Sequence, residues 1–324
     1  MKIISSTIVS FVGFNLKPDL SVEFAGIKLP NPTILASGIL GVSGEIMIRA
    51  AHAGAGAVVS KSFNRKGREG YRNPSFIEVS GGFLNALGIP NPGMEEMRGE
   101  VEAVARSGVP VIASVFGFDA DEFCDAAIMG EKGGAIAVEM NVSCPHVREV
   151  GVEIGQSPKI VGEVTEAVKS KVRIPVFVKL SPNVTDITEI AKAAERAGAD
   201  AITAINTVLG MAIDVESGQP ILGGVLGGLS GPPLHPIAVR AIYQIRQSVN
   251  IPIIGVGGIQ DWRDAVEMMM AGASAVQIGS VITSKGLEIF RDVTNGMAKF
   301  VEQKGLGSIR EVVGAAAKRK TLLP

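Results

Sequence analysis

Eight short apolar runs, rich in β-branched residues and bounded by glycine and proline, recur along the 324-residue chain. They read TILASG from Thr33, AVVSKS from Ala57, VPVIASVFG from Val109 and AIAVEMNVSC from Ala135. PVFVKLSP from Pro175, AITAINTV from Ala201, PIIGVGGI from Pro252 and AVQIGS from Ala275 complete the set. Their lead-ins alternate. Odd runs follow an aliphatic–proline pair (LP at Leu29, VP at Val109, IP at Ile174 and at Ile251), and even runs follow a small-residue turn (AGAGA, KGGA, AGADA, AGASA). Proline fixes φ and cannot donate to a ladder, so it suits the first position of a strand. A Gly-Ala turn ends a helix in a left-handed cap. Helix-like stretches lie between the runs; DITEIAKAAERAGA, for example, puts Ile187, Ile190, Ala191 and Ala194 on one face. Strands that are apolar throughout, each followed by a helix, predict a parallel sheet covered by helices, and eight such units predict closure into a (β/α)8 TIM barrel. The fold class expected is therefore α/β, with one barrel domain over residues 20–324. The segment LSVEFAGIKLPNP before the first run reads as a short hairpin packed against the barrel floor.

Length alone would suit two domains, but barrels of this kind run this long as one unit. The formal net charge is −1 and aromatic residues make up 5% of the chain, with no basic stripe interleaved with them. Nucleic acid and anionic lipid are therefore not expected partners. Two cysteines, Cys124 and Cys144, make no disulfide framework, and the three histidines (His52, His146, His235) show no metal-ligand spacing. No metal is expected, and the cysteine usage fits a reducing cytoplasm. Residues 1–19, MKIISSTIVSFVGFNLKPD, weakly resemble a signal peptide but lack a small-residue cleavage site, and are too short and serine-rich to span a bilayer. They read as a poorly ordered or loosely docked extension, or as the product of a misplaced start codon; contact with a membrane or partner is the alternative.

The run ends carry the polar chemistry. They supply Ser37, Lys61 with Ser62, Ser114, Asn141 with Cys144, Lys179, Asn206 with Thr207, Gly257 with Gly258, and Gly279 with Ser280. Three connections are longer than a barrel needs: Phe63 to about Arg106, the segment after Cys144, and Thr207 to Pro236. All follow strands, so they belong at the carboxyl end where barrel active sites form, and their length suggests a lid. Paired glycine turns after runs seven and eight suit a phosphate cradle, although a tight turn alone also wants glycine. Lys61 and Lys179 suit an anionic ligand, the alternative being an interior carboxylate, for which Glu139 is the only nearby glutamate. Cys124 sits in a helical pattern and reads as a small buried hydrophobe. Cys144 follows a strand end and precedes Pro145, a place for a catalytic thiol; His146 could lower its pKa or face solvent. His52 and His235 read as structural.

In order along the chain, ASG at Ala36, SKS at Ser60, NALGIPNPG at Asn85, NVSCP at Asn141 and VKLSPN at Val178 resemble class 1 dihydroorotate dehydrogenases. INT at Ile205, GGLSGP at Gly227, GVGGI at Gly255 and IGS at Ile278 extend the resemblance over nearly all of the chain after about Leu20. The family is one of FMN-dependent barrels of pyrimidine biosynthesis. The likeness is strongest to its NAD-linked class 1B, whose catalytic subunit works with an FAD and iron–sulfur subunit. The resemblance implies oxidation of (S)-dihydroorotate to orotate, with Cys144 removing the C5 proton while a hydride leaves C6 for flavin N5. It implies that Lys61 lies between flavin and substrate, and that Asn85, Ala86, Leu87, Gly88, Ile89, Asn141, Asn206 and Thr207 hold the pyrimidine and its carboxylate. It implies flavin contacts from Ser37, Lys61, Ser62, Ser114, Asn141, Lys179, Ile205 and Gly231, with the phosphate on Gly257, Gly258, Gly279 and Ser280. A homodimer, or a heterotetramer with the electron-transfer subunit, is the implied assembly.

This chemistry agrees with the residues, since breaking two C–H bonds needs a base and a hydride acceptor on opposite faces of a flat ring. Two departures stand out: His146 where the family often has asparagine, and Ser114 where the NAD-linked class usually has asparagine. SCPH with IGQSP also resembles the flavin domain of dihydropyrimidine dehydrogenases, which act on uracil and thymine, but NALGIPNPG is not expected there. A phosphate-binding lyase using Lys61 or Lys179 as a Schiff base, and a non-catalytic scaffold, are the remaining readings.

Overall fold

The computed structural model describes residues 18–142 and 154–318. The expected N-terminal extension lies outside the described residues apart from its last two positions. Asp19 is tied to the barrel body: its N–H donates to the Gly307 carbonyl at 3.2 Å, and its carboxylate pairs with Arg310.

All eight runs form strands of one closed barrel. They are β1 (Thr33–Leu35), β2 (Ala57–Val59), β3 (Val111–Val115), β4 (Ala137–Asn141), β5 (Val176–Leu180), β6 (Ala201–Ala204), β7 (Ile253–Val256) and β8 (Ala275–Ile278). Each pairs in parallel with its sequence neighbours, and β8 closes on β1. The helices that follow are α1 (Gly44–His52), α2 (Met94–Arg106), α3 (Ala120–Lys132), α4 (Pro158–Lys169), α5 (Ile187–Arg196), α6 (His235–Arg246), α7 (Trp262–Ala271) and, after a single turn at Ile282–Lys285, α8 (Ile289–Gln303).

The alternating lead-ins have a structural cause. Gly54, Gly134, Gly198 and Gly272, one in each small-residue turn, all have positive φ, so each turn reverses the chain where a side chain would be strained. The prolines open the odd strands with a carbonyl in place of a donor. Pro110, Pro175 and Pro252 accept from Val58, Val138 and Ile202 at 2.9–3.0 Å. For β1 that part falls to Pro32, which accepts from Val276, and not to the Pro30 of the LP pair.

The hairpin is present as Val22–Phe24 against Ile27–Leu29. Its inward residues join the barrel core, and the Phe24 ring lies 6.1 Å from that of Phe177 on β5, so it plugs the floor. In α5 the four residues expected on one face, Ile187, Ile190, Ala191 and Ala194, are buried, and Asp186 caps the helix by accepting from Thr188 N–H. Cys124 is buried in α3, where burial pushes its thiol up. Because the thiolate is the reactive form, iodoacetamide at neutral pH is expected to spare Cys124 in the folded protein. Mass spectrometry should find it alkylated only after unfolding.

Two of the three long connections do something the sequence did not announce. Residues Phe76–Val79 and Gly82–Asn85 from one, and Val208–Gly210 and Gly227–Ser230 from the other, pair as a four-stranded antiparallel sheet over the barrel mouth. Where a lid was expected, two of the connections build a roof of paired strands. The third connection falls largely on 143–153, outside the described residues. Among the described residues no helix is long and apolar enough to cross a membrane.

Candidate active site

The carboxyl ends of the strands surround a cavity of about 480 Å³, roofed by the sheet. From the barrel it is lined by Ser37, Lys61, Ser62, Asn141, Lys179, Ile205, Asn206 and Thr207, and from the roof by Asn85, Leu87, Gly88 and Ile89. Gly257, Gly258, Gly279 and Ser280 line its far end. Among the described residues, the expected site residues therefore gather onto one mouth, with three exceptions. Ala86 faces a small separate core with Leu84 and Leu222, because it alternates with Asn85 along an extended segment. Ser114 is fully buried and reaches the cavity only through Ser62, whose hydroxyl it meets at 2.8 Å. Gly231 does not line the cavity, and its carbonyl packs instead against Gly258.

Two polar layers cross the barrel. The upper one is a chain of weak contacts: Ser37 and Ser62 share a hydrogen bond at 3.2 Å, Asn141 Nδ2 donates to Ser62 Oγ at 3.3 Å, and Asn206 Nδ2 donates to Asn141 Oδ1 at 3.3 Å. Thr207 N–H donates to Asn206 Oδ1 at 2.8 Å, which fixes the amide's orientation. Lys61, largely buried, is held at its backbone by a 2.7 Å bond from its N–H to the Gly41 carbonyl. Amides and hydroxyls in such a row can read the edge of a flat polar ring, and an ammonium beside them can meet a carboxylate.

The lower layer corrects an expectation. Lys179 does have an acidic partner, because its Nζ lies 3.5 Å from Glu139 Oε1 and donates to Gln277 Oε1 at 3.1 Å. Glu139 Oε2 also accepts from Thr203 Oγ1 at 3.0 Å and from Gln277 Nε2. The reason is the two-residue period of a strand: Glu139 sits two before Asn141 and points to the same lumen. Gln277 was missed although it was visible, being a polar residue inside the otherwise apolar AVQI of β8. Apolar Ala36, Leu234, Val256 and Ile259 line the remaining wall.

At the far end the turn after β7 has φ of +133° at Gly257 and +72° at Gly258. Among the described residues, the N–H groups of Gly257, Gly258, Gly279 and Ser280 donate to no protein acceptor. Such unclaimed donors suit an anion. His235 braces this turn: Nδ1 lies 3.3 Å from the Gly257 carbonyl and Nε2 3.0 Å from Glu267 on α7. That bears out a structural part for it, whereas His52 is exposed at the end of α1. A Cβ at Gly258 would lie 2.6 Å from His235 N and 2.8 Å from Gly231 O. Gly258→Ala is therefore expected to lose about 1–3 kcal/mol in urea unfolding, the usual cost of a side chain forced into the left-handed region. Cys144 and His146 lie outside the described residues.

A cavity with an apolar wall, a donor-rich glycine end and a polar layer across the barrel fits a flat ring carrying a phosphate arm. Related proteins point the same way. The family model described as Dihydroorotate dehydrogenase matches residues 19–301. The chain is 46% identical to the "Dihydroorotate dehydrogenase B (NAD(+)), catalytic subunit" of Pyrococcus horikoshii, over 94% of this chain and 99% of that protein. It is 50% identical to the protein of the same name from Methanosarcina acetivorans, over 90% and 94%. Among solved structures, DHODH from Eimeria tenella in complex with ferulenol shares the fold with a TM-score of 0.83. It is 21% identical, and the match covers 93% of this chain and 89% of that one. This chain is a member of the dihydroorotate dehydrogenase family.

Proposed function

We propose that the protein oxidises dihydroorotate to orotate, a step of pyrimidine biosynthesis, with FMN as its flavin and the cavity at the barrel mouth as its site. One observation carries this reading: a single cavity has unclaimed backbone donors at one end and two lysines among side-chain amides at the other. The glycine end would hold the phosphate, and Lys179 and Asn141 would face the ring. When bound, the flavin supplies a two-electron acceptor for hydride.

The chain's own groups do the rest. Asn85, Asn141, Asn206 and Thr207 would orient the pyrimidine through its ring amides, and Lys61 would meet the substrate carboxylate. Cys144, the residue that the family resemblance assigns as base, would take the C5 proton. A thiol must ionise to act as a base, so turnover should rise with pH as Cys144 deprotonates. The relatives' name, a catalytic subunit of an NAD(+) enzyme, supports a second polypeptide that passes electrons to NAD. An FAD and iron–sulfur subunit in a heterotetramer built on a homodimer, in the cytoplasm, is the assembly we infer.

The test is anaerobic mixing of the flavin-loaded protein with dihydroorotate, dihydrouracil and NADH in parallel. Rapid bleaching of the flavin by dihydroorotate alone is expected. Bleaching by dihydrouracil instead would move the chain to pyrimidine-base chemistry, and a protein that cannot take up FMN would overturn the reading of the cavity.

A further inference from the structure

The lower polar layer has a feature that the proposed reaction does not use. Glu139 is completely buried and does not line the cavity, yet it lies beneath a lysine that does. Four strands contribute to the cluster: Glu139 from β4, Lys179 from β5, Thr203 from β6 and Gln277 from β8. Relative exposures are 0%, 5%, 0% and 1%, so water does not screen the charges as it would at the surface. Among the described residues, the charged side chains lining the cavity are Lys61 and Lys179. The carboxylate is thus the counter-charge of one of the two cations on the cavity wall.

Resting on the reading that a flavin fills this cavity, we propose that Glu139 is a positioning residue that sets the redox poise of that flavin by offsetting the charge of Lys179. Three side chains fix the carboxylate in place. Its Oε1 faces Lys179 Nζ at 3.5 Å, while Oε2 accepts from Thr203 and Gln277. Gln277 closes the ring by accepting from Lys179 at 3.1 Å. Lys179 therefore cannot swing away without breaking two contacts, and its ammonium reaches the cavity partly neutralised.

The sign of the effect follows from charge balance. A hydride brings two electrons and one proton to a neutral ring, so reduction leaves one added negative charge. A cation on the wall favours that state, and an anion behind the cation opposes it. Removing the Glu139 charge should make the flavin easier to reduce. Keeping the charge while shortening the side chain should leave the potential near its original value. A cluster that merely satisfied its own hydrogen bonds would show no such split, because both changes disturb the packing.

The experiment measures the midpoint potential of bound flavin in wild type, Glu139→Gln and Glu139→Asp, each loaded with FMN. Glu139→Gln is expected to shift the equilibrium for reduction at least tenfold toward the reduced form, about 30 mV for a two-electron couple. Glu139→Asp is expected to stay close to wild type. If all three share one potential, or if Asp shifts as far as Gln, the inference about Glu139 is wrong while the flavin site stands. If wild type takes up no flavin, both readings fail. Should Glu139→Gln not fold, the reduced-minus-oxidised infrared difference spectrum of wild type decides. A glutamate-label-sensitive band of an ionised carboxylate that is lost in Glu139→Asp supports the proposal. A spectrum with no carboxylate signal overturns it.

Discussion

Cys144→Ala is expected to keep its flavin while dihydroorotate oxidation falls by about 10²–10⁴-fold, the usual contribution of a positioned general base. The groups proposed to hold FMN are other residues, at the strand ends and glycine turns that line the cavity. The loss should therefore appear in flavin reduction during a single anaerobic turnover and not in flavin content. Cys124 cannot take over, since it is buried in α3. Cys144→Ser should also fall below wild type, because a hydroxyl ionises far less readily than a thiol. Flavin reduction at the wild-type rate in the alanine variant would remove Cys144 from the mechanism.

Lys179→Met should act on the fold as well as on the site. It strips the partner from a carboxylate that is fully buried. Leaving one member of a buried pair uncompensated costs about 3–5 kcal/mol. Urea unfolding of the flavin-free protein is expected to show a loss of that order. Adding Glu139→Gln to the same chain should return most of it, since the orphaned charge is then gone. A single variant as stable as wild type would mean that the ammonium and the carboxylate are not coupled. The double variant also separates two parts of Lys179, because it restores the fold without restoring a cation to the cavity.

The barrel was legible because its signals are local. Proline at the head of a strand and glycine at the foot of a helix act within a few residues, and their alternation survives in the chain as a visible rhythm. The strand-end residues were legible for a related reason, since any side chain just past a parallel strand lands on the same rim. What stayed hidden depends on partners far away in sequence. Lys179 and Glu139 are 40 residues apart and Gln277 is 98 residues beyond Lys179, so nothing near Lys179 announces its counter-charge. Glu139 stood in view as the alternative partner, but a reading of strand ends gives no register for the position two residues earlier, where it faces the same lumen. The roof was hidden too, because its strands are three or four residues long and become strands only by pairing with each other. Ala86 shows the limit of transferring a motif whole: within NALGIPNPG, alternation along the backbone sends one residue to the cavity and its neighbour away.

The roof's dual origin has a consequence for anyone altering this protein. Asn85 pairs with Gly228 on one side and Phe76 on the other, so its aim into the cavity depends on three chain segments keeping step. Deleting one residue between Gly82 and Asn85 would turn the alternation over and swing the amide outward. Swapping either long connection alone between relatives would misalign the other. The two segments, more than a hundred residues apart, have to be exchanged as one unit.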